Sequence, residues 1–175
     1  MKRIAIILSG CGFLDGAEIH ESVLCLLALE QEGFKPYFFA PDIIQNTVVN
    51  HLTQKQVDKN RNILEESARI ARGDINPLNT LNTNEYDALA FPGGFGAALS
   101  LSSYATKQVD CEVLEDITHI IKQAIEMKKP ILATCISPVI LGKVLQSMNL
   151  QASMTLGSSD DSIEQLNAFN MIGKS

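Results

Sequence analysis

Pro130-Ile131-Leu132-Ala133-Thr134-Cys135-Ile136-Ser137-Pro138 is a short apolar run that ends on a cysteine and passes at once into a helix-starting signal. A strand buried on both faces reads as a continuous apolar run, and the small residues Ala133 and Thr134 leave room for a sharp turn. Pro138 suits the first turn of a helix, where its missing N–H costs nothing. The stretch therefore predicts a nucleophile on a strand-to-helix turn. Cys135 would stand where unpaired amide N–H groups and the positive helix end favour the thiolate, the form that attacks carbonyls.

The chain on either side repeats this alternation. A strand at Lys2–Leu8 runs into a glycine-bearing loop, Ser9 to Gly16, and then into an apolar-periodic helix from about Glu18 to Glu32, with Gly33 as its C-cap. A strand at Lys35–Ala40 stops at Pro41-Asp42. A polar stretch through His51 follows, then a helix at about Arg61–Ala71 that ends at Gly73. Asn76–Asn84 reads as a surface connection. The strand Tyr86–Phe91 leads into Pro92-Gly93-Gly94-Phe95-Gly96, and helices at about Glu112–Lys128 and Pro138–Ser147 flank the cysteine strand. Beyond these lie a short strand at Met154–Gly157 and a helical run at Ser162–Phe169. Strands alternating with helices imply a parallel sheet covered on both faces, with its sites beyond the carboxyl ends of the strands. That rule brings together the loops carrying Cys11, Gly93-Gly94 and Cys135.

The 175 residues suffice for one core and not for two ordinary domains, so a single domain over 1–175 is expected. With a net charge of -6 and no Lys/Arg stripe, the footprint of a nucleic-acid binder is missing. Ile4–Leu8 is too short for a signal-peptide core, so the expectation is a cytoplasmic protein without a membrane partner. The four cysteines form no CxxC pair, which argues against a zinc site or a disulfide framework.

Cys25 lies on the apolar face of the first helix and reads as inert. Cys111 precedes Glu112 and Glu115, whose charges oppose a thiolate, and reads as a structural or surface residue without a role. Cys11 shares the sheet edge with Cys135 and is a candidate second thiol. Gly93 and Gly94 are candidate oxyanion donors, because two glycines let backbone N–H groups approach a substrate oxygen. Glu18, His20 and Glu21 crowd the first turn of a helix that starts at the site edge. One carboxylate serves the helix dipole, and the other is free to face the cysteine, where an apolar pocket would raise its pKa and suit it to proton transfer. His51 and His119 have no partner legible in the sequence and read as surface residues.

Ile7-Leu8-Ser9-Gly10-Cys11-Gly12, Asp15-Gly16-Ala17-Glu18-Ile19-His20-Glu21, Pro92-Gly93-Gly94-Phe95-Gly96-Ala97-Ala98 and Cys135-Ile136-Ser137-Pro138, taken in this order, resemble the ElbB-type branch of the DJ-1/PfpI superfamily. Its members are called enhancing lycopene biosynthesis proteins or isoprenoid biosynthesis glyoxalases. The resemblance implies a flavodoxin-like three-layer α/β sandwich of the class I glutamine amidotransferase-like type, with Cys135 as nucleophile. It further implies that Glu21 hydrogen-bonds the thiol while Glu18 is structural, and that the oxyanion site involves Gly93, Gly94 and Ile136. Ile136 stands where protease-like relatives carry histidine, and no histidine follows His119, so neither peptidase activity nor glutamine hydrolysis is expected. Against the family pattern the chain lacks a final strand and helix. This leads to the expectation of a homodimer with an interface around Thr155–Phe169.

The leading functional expectation is a glutathione-independent glyoxalase that takes methylglyoxal or glyoxal through a Cys135 hemithioacetal, needs neither cofactor nor metal, and is tied to isoprenoid metabolism or stress. The alternatives are a redox or stress-response protein with an oxidisable Cys135, and an accessory role in isoprenoid metabolism.

Overall fold

The computed structural model describes residues 1–154 together with the backbone of 172 and 173. Its centre is a five-stranded parallel sheet in the order β5-β2-β1-β6-β7, built from β1 (Arg3–Ile7), β2 (Lys35–Ala40), β5 (Ile75–Pro77), β6 (Ala88–Phe91) and β7 (Ile131–Ala133). β1 is central and shows why the sheet needs two layers of helix. Side chains alternate across a strand, so Ile4, Ile6 and Leu8 join one core while Ala5 and Ile7 join the other. The first core is closed by α1 (Ile19–Gln31) and α2 (Ile63–Ala71). The second is closed by α5 (Glu115–Glu126) and α6 (Pro138–Ser147), through residues such as Ile117, Ile121 and Ile140.

The expected strands and helices are found with small shifts at their ends. Three features were not foreseen. The polar stretch before α2 carries a hairpin, β3 (Val49–Asn50) with β4 (Lys55–Gln56). The Asn76–Asn84 connection begins within the edge strand β5. Two short helices, α3 (Gly96–Leu99) and α4 (Tyr104–Lys107), follow the glycine loop. β8 (Ser153–Met154) pairs in parallel with β9 (Ile172–Gly173), so only the start of the expected strand at Met154–Gly157 is seen. The Ser162–Phe169 helix and the Thr155–Phe169 interface lie outside the described residues.

α1 corrects the sequence reading in one respect. Its apolar positions were expected to face the core, yet Ile19, Val23, Leu24 and Leu27 are exposed, and Ser22 is the one fully buried residue of the helix. The helix is apolar around most of its girth, so periodicity could not choose the covered stripe. The face actually packed is that of Ser22, Cys25, Leu26 and Leu29. Leu132 on the edge strand β7 is exposed as well. Beside them lies a cavity of about 310 Å³ lined by Ile4, Leu29, Phe34, Ala88, Ala90 and Leu132, among others.

Candidate active site

Cys135 has φ +55°, in the left-handed region that few non-glycine residues occupy. Such a residue persists only where its surroundings fix it. Here the turn is held by the Thr134 N–H donating to Phe91 O (3.1 Å), the Ser137 N–H donating to Thr134 O (2.9 Å) and the Ser137 hydroxyl donating to Pro92 O (2.7 Å). Pro138 opens α6 directly behind it. The outcome is a thiol lifted clear of the sheet edge, exposed to solvent, at the mouth of a helix.

Glu21 comes to the Cys135 turn from α1. Its Oε2 accepts hydrogen bonds from the Gly93 N–H (2.9 Å) and from the Thr134 hydroxyl (2.7 Å). A methyl group on Gly93 would collide with both Cys135 Cβ and Glu21 Oε2, so the Cys135 Cβ and the Glu21 carboxylate flank the space that glycine leaves empty. The implied hydrogen bond to the sulfur is not made; Oε2 accepts from Gly93 and Thr134 instead. Thr134 takes part in this arrangement and was read from the sequence only as a small residue. A hydroxyl directly before a candidate nucleophile was the available signal.

The Gly93 N–H also lies 3.1 Å from Thr134 Oγ1, so it is spent inside the protein. The N–H groups of Gly94 and Ile136 donate to no acceptor among the described residues. Gly94 has φ +102°, and a Cβ there would strike Gly16 O and the Glu18 N, so glycine is required twice over.

Glu18 is the N-cap of α1, its carboxylate accepting from the Glu21 N–H at 2.7 Å. Burial pushes its carboxyl up, but the Glu21 N–H and the His20 ring outweigh this and hold it below the usual carboxylate range. His20 is turned to solvent, bonded only to Glu18 (3.1 Å), and contributes nothing to the site. Cys11 is half-buried and packs with the core on the α1 and α2 face. Burial, reinforced by Glu66 and Asp15 against Arg69 and Arg61, pushes its thiol up. All four cysteines are free. Among the described residues no group of His, Cys, Asp and Glu could hold a metal ion, and no helix is long and apolar enough to cross a membrane.

A cysteine on a left-handed strand-to-helix turn of a mostly parallel sheet, with a carboxylate brought to it from the first helix, defines the class I glutamine amidotransferase-like fold of the DJ-1/PfpI proteins. A crystal structure described as an isoprenoid biosynthesis protein with amidotransferase-like domain, from Ehrlichia chaffeensis, matches 100% of this chain and 79% of its own, at 34% identity and a TM-score of 0.92. The chain belongs to the family of that isoprenoid biosynthesis protein with amidotransferase-like domain. The rat "ES1 protein homolog, mitochondrial" and the human "Glutamine amidotransferase-like class 1 domain-containing protein 3, mitochondrial" are each 44% identical to it over 149 residues, 85% of this chain. The chain spans 56% of the length of either. A ThiJ/PfpI domain protein from Brachyspira murdochii, at 16% identity and a TM-score of 0.57, shares the fold alone. No family model matches the chain.

These relatives overturn the expectation of a cytoplasmic protein, since the curated ones are mitochondrial. That expectation rested on the shortness of Ile4–Leu8. This run is the core of the central strand β1, and its length reports sheet geometry rather than a compartment.

Proposed function

We propose that the protein is a glutathione-independent glyoxalase of the ElbB-type branch, acting on small 2-oxoaldehydes such as methylglyoxal and glyoxal. The observation that carries this reading is the placement of Cys135 Cβ and the Glu21 carboxylate on either side of Gly93. The Cys135 thiolate adds to the aldehyde carbon and its electron pair forms the C–S bond of a hemithioacetal. The oxygen becomes an alkoxide that takes up a proton. With the Gly93 N–H occupied, the oxyanion donors are the N–H groups of Gly94 and Ile136. Glu21 takes the proton from the former aldehyde carbon and returns one to the neighbouring carbon, which converts the adduct to a 2-hydroxy thioester. Water then releases the 2-hydroxy acid and regenerates the thiol. Methylglyoxal plus water gives lactate, an internal oxidation and reduction that calls for no cofactor.

The Ehrlichia relative's description supports a place for this activity in isoprenoid metabolism. The test is lactate formation from methylglyoxal without glutathione, in the wild type and in Cys135→Ala. Formation lost in the variant supports the reading. No formation in the wild type, with Cys135 oxidised to the sulfinate by dilute peroxide, replaces it by the redox reading.

The same chain is proposed to form a homodimer through its uncovered apolar side chains, Ile19, Val23, Leu24 and Leu27 on α1 and Leu132 on β7. Light scattering after size exclusion should give twice the chain mass. A monomer at high concentration rejects the dimer.

A further inference from the structure

His51, read from the sequence as a surface residue, is bound into the loop that follows β1. Its Nδ1 lies 3.1 Å from Val49 O, and the Leu14 N–H donates to its Nε2 at 3.3 Å. A carbonyl oxygen only accepts and an amide N–H only donates. Both bonds together are therefore possible in one state, the neutral ring with its proton on Nδ1. Asp15, fully buried, accepts the Val49 N–H on Oδ2 at 2.6 Å. Its Oδ1 has no hydrogen-bond partner and lies 3.8 Å from His51 Nε2. A buried carboxylate oxygen without a donor is costly to the fold, and a second proton on the imidazole would supply that donor.

What His51 and Asp15 hold is the scaffold of the candidate site. The loop they grip donates or accepts at each step toward the nucleophile. The Phe95 N–H donates to Phe13 O (2.8 Å), the Gly96 N–H to Gly16 O (2.9 Å) and the Glu18 N–H to Gly93 O (2.8 Å). Gly93 in turn holds Glu21. The ring also sits where a side chain on Gly12 would be, and packs edge-on against Phe13 with centroids 5.5 Å apart.

We propose that His51 and Asp15 form a positioning pair for the Cys135 site, with His51 as its proton-sensitive member. Neutral, the ring accepts from Leu14 and fixes the loop. Protonated, its Nε2–H no longer accepts from Leu14 and turns to Asp15 Oδ1, which frees the Leu14 amide and loosens the strand of bonds to Gly93. Histidine is the side chain whose charge changes between pH 5 and 8. The charged groups that face the ring are Asp15, 3.8 Å from Nε2, and Lys59 and Arg61, which line a cleft of about 370 Å³ together with His51. The proposal rests on Cys135 as the nucleophile and is independent of which aldehyde it takes.

The test compares site-resolved iodoacetamide labelling of Cys135 in the wild type and in His51→Gln between pH 5 and 8. Glutamine offers an acceptor oxygen to Leu14 but gains no charge. The two proteins differ only at position 51, so their rate ratio at each pH isolates the histidine proton. The expected result is equal rates at pH 8, with the wild type falling roughly three- to tenfold behind the variant at pH 5, the effect of about one hydrogen bond. Amide exchange at Leu14 should show the same step in the wild type and none in the variant. A flat ratio overturns the positioning role even if Leu14 exchange follows pH. If His51→Gln does not fold, wild-type Leu14 decides, and protection that is unchanged from pH 8 to pH 5 overturns the proposal. Absence of lactate formation with the labelling step intact removes the glyoxalase reading and leaves this one standing.

Discussion

Cys11 and Cys135 both follow parallel strands at the carboxyl edge of one sheet, and the backbone gives them opposite fates. Cys135 sits in a left-handed turn that turns its thiol outward, beside a carboxylate whose position is fixed by Gly93 and Thr134. Cys11 sits half-buried in a loop folded back over the α1 and α2 core, where burial and the neighbouring Glu66 and Asp15 disfavour its thiolate. A strand end alone does not make a nucleophile. The direction of the turn, and what the next element brings to it, decide which thiol can react.

Breaking the comparison at its stronger member should have the largest effect. Cys135→Ala is expected to lower lactate formation from methylglyoxal to background, since removal of a covalent nucleophile costs on the order of 10⁶-fold. Cys11→Ser should leave the rate within a factor of about two, since the substitution is close to isosteric and the Cys11 thiol packs with the α1 and α2 core, away from the reacting carbon. Loss of activity in Cys11→Ser with Cys135→Ala active would reverse the assignment.

Gly93→Ala should come next. Its methyl group meets Cys135 Cβ and Glu21 Oε2, and overpacking of this kind costs about 1–3 kcal/mol. Thermal denaturation should show a lowered Tm, and Cys135 labelling should slow because the thiol and carboxylate are forced apart. An unchanged Tm and labelling rate would mean that the gap is not what joins them.

Thr134→Val sharpens the contrast more gently. It removes the hydroxyl that donates to Glu21 at 2.7 Å and is worth about 1 kcal/mol. A drop of about fivefold in kcat with little change in KM is expected, because the hydroxyl orients the acid without binding substrate.

The smallest effect is read in the thiols themselves. At neutral pH limiting iodoacetamide should mark Cys135 before Cys11. The Cys11 thiol is pushed up by burial, so its thiolate appears only as pH rises above the ordinary thiol range, and its labelling should catch up there. Equal labelling at pH 7 would erase the distinction.

The sheet and its order of elements were legible because apolar runs such as Ile4–Leu8 and Leu89–Phe91 are bounded by glycine and proline. The Cys135 elbow was legible because Pro138 marks the helix start. The β3–β4 hairpin was not, since strands of two residues carry no periodicity. The Gly93 N–H was expected to hold a substrate oxygen and instead holds Glu21, a distinction that depends on where a side chain from another element ends up. For the same reason His51 looked idle: its partners Leu14 and Asp15 lie 37 and 36 positions away, and only the packed hairpin brings them together.

The exposed apolar side chains of α1 and β7 also set a temperature scale for handling this protein. Hydrophobic attraction weakens on cooling, so any complex gripping that surface is tighter at growth temperature than on ice. Purification in a cold room is the condition most apt to strip such a complex away, and warm-column chromatography the one that retains it.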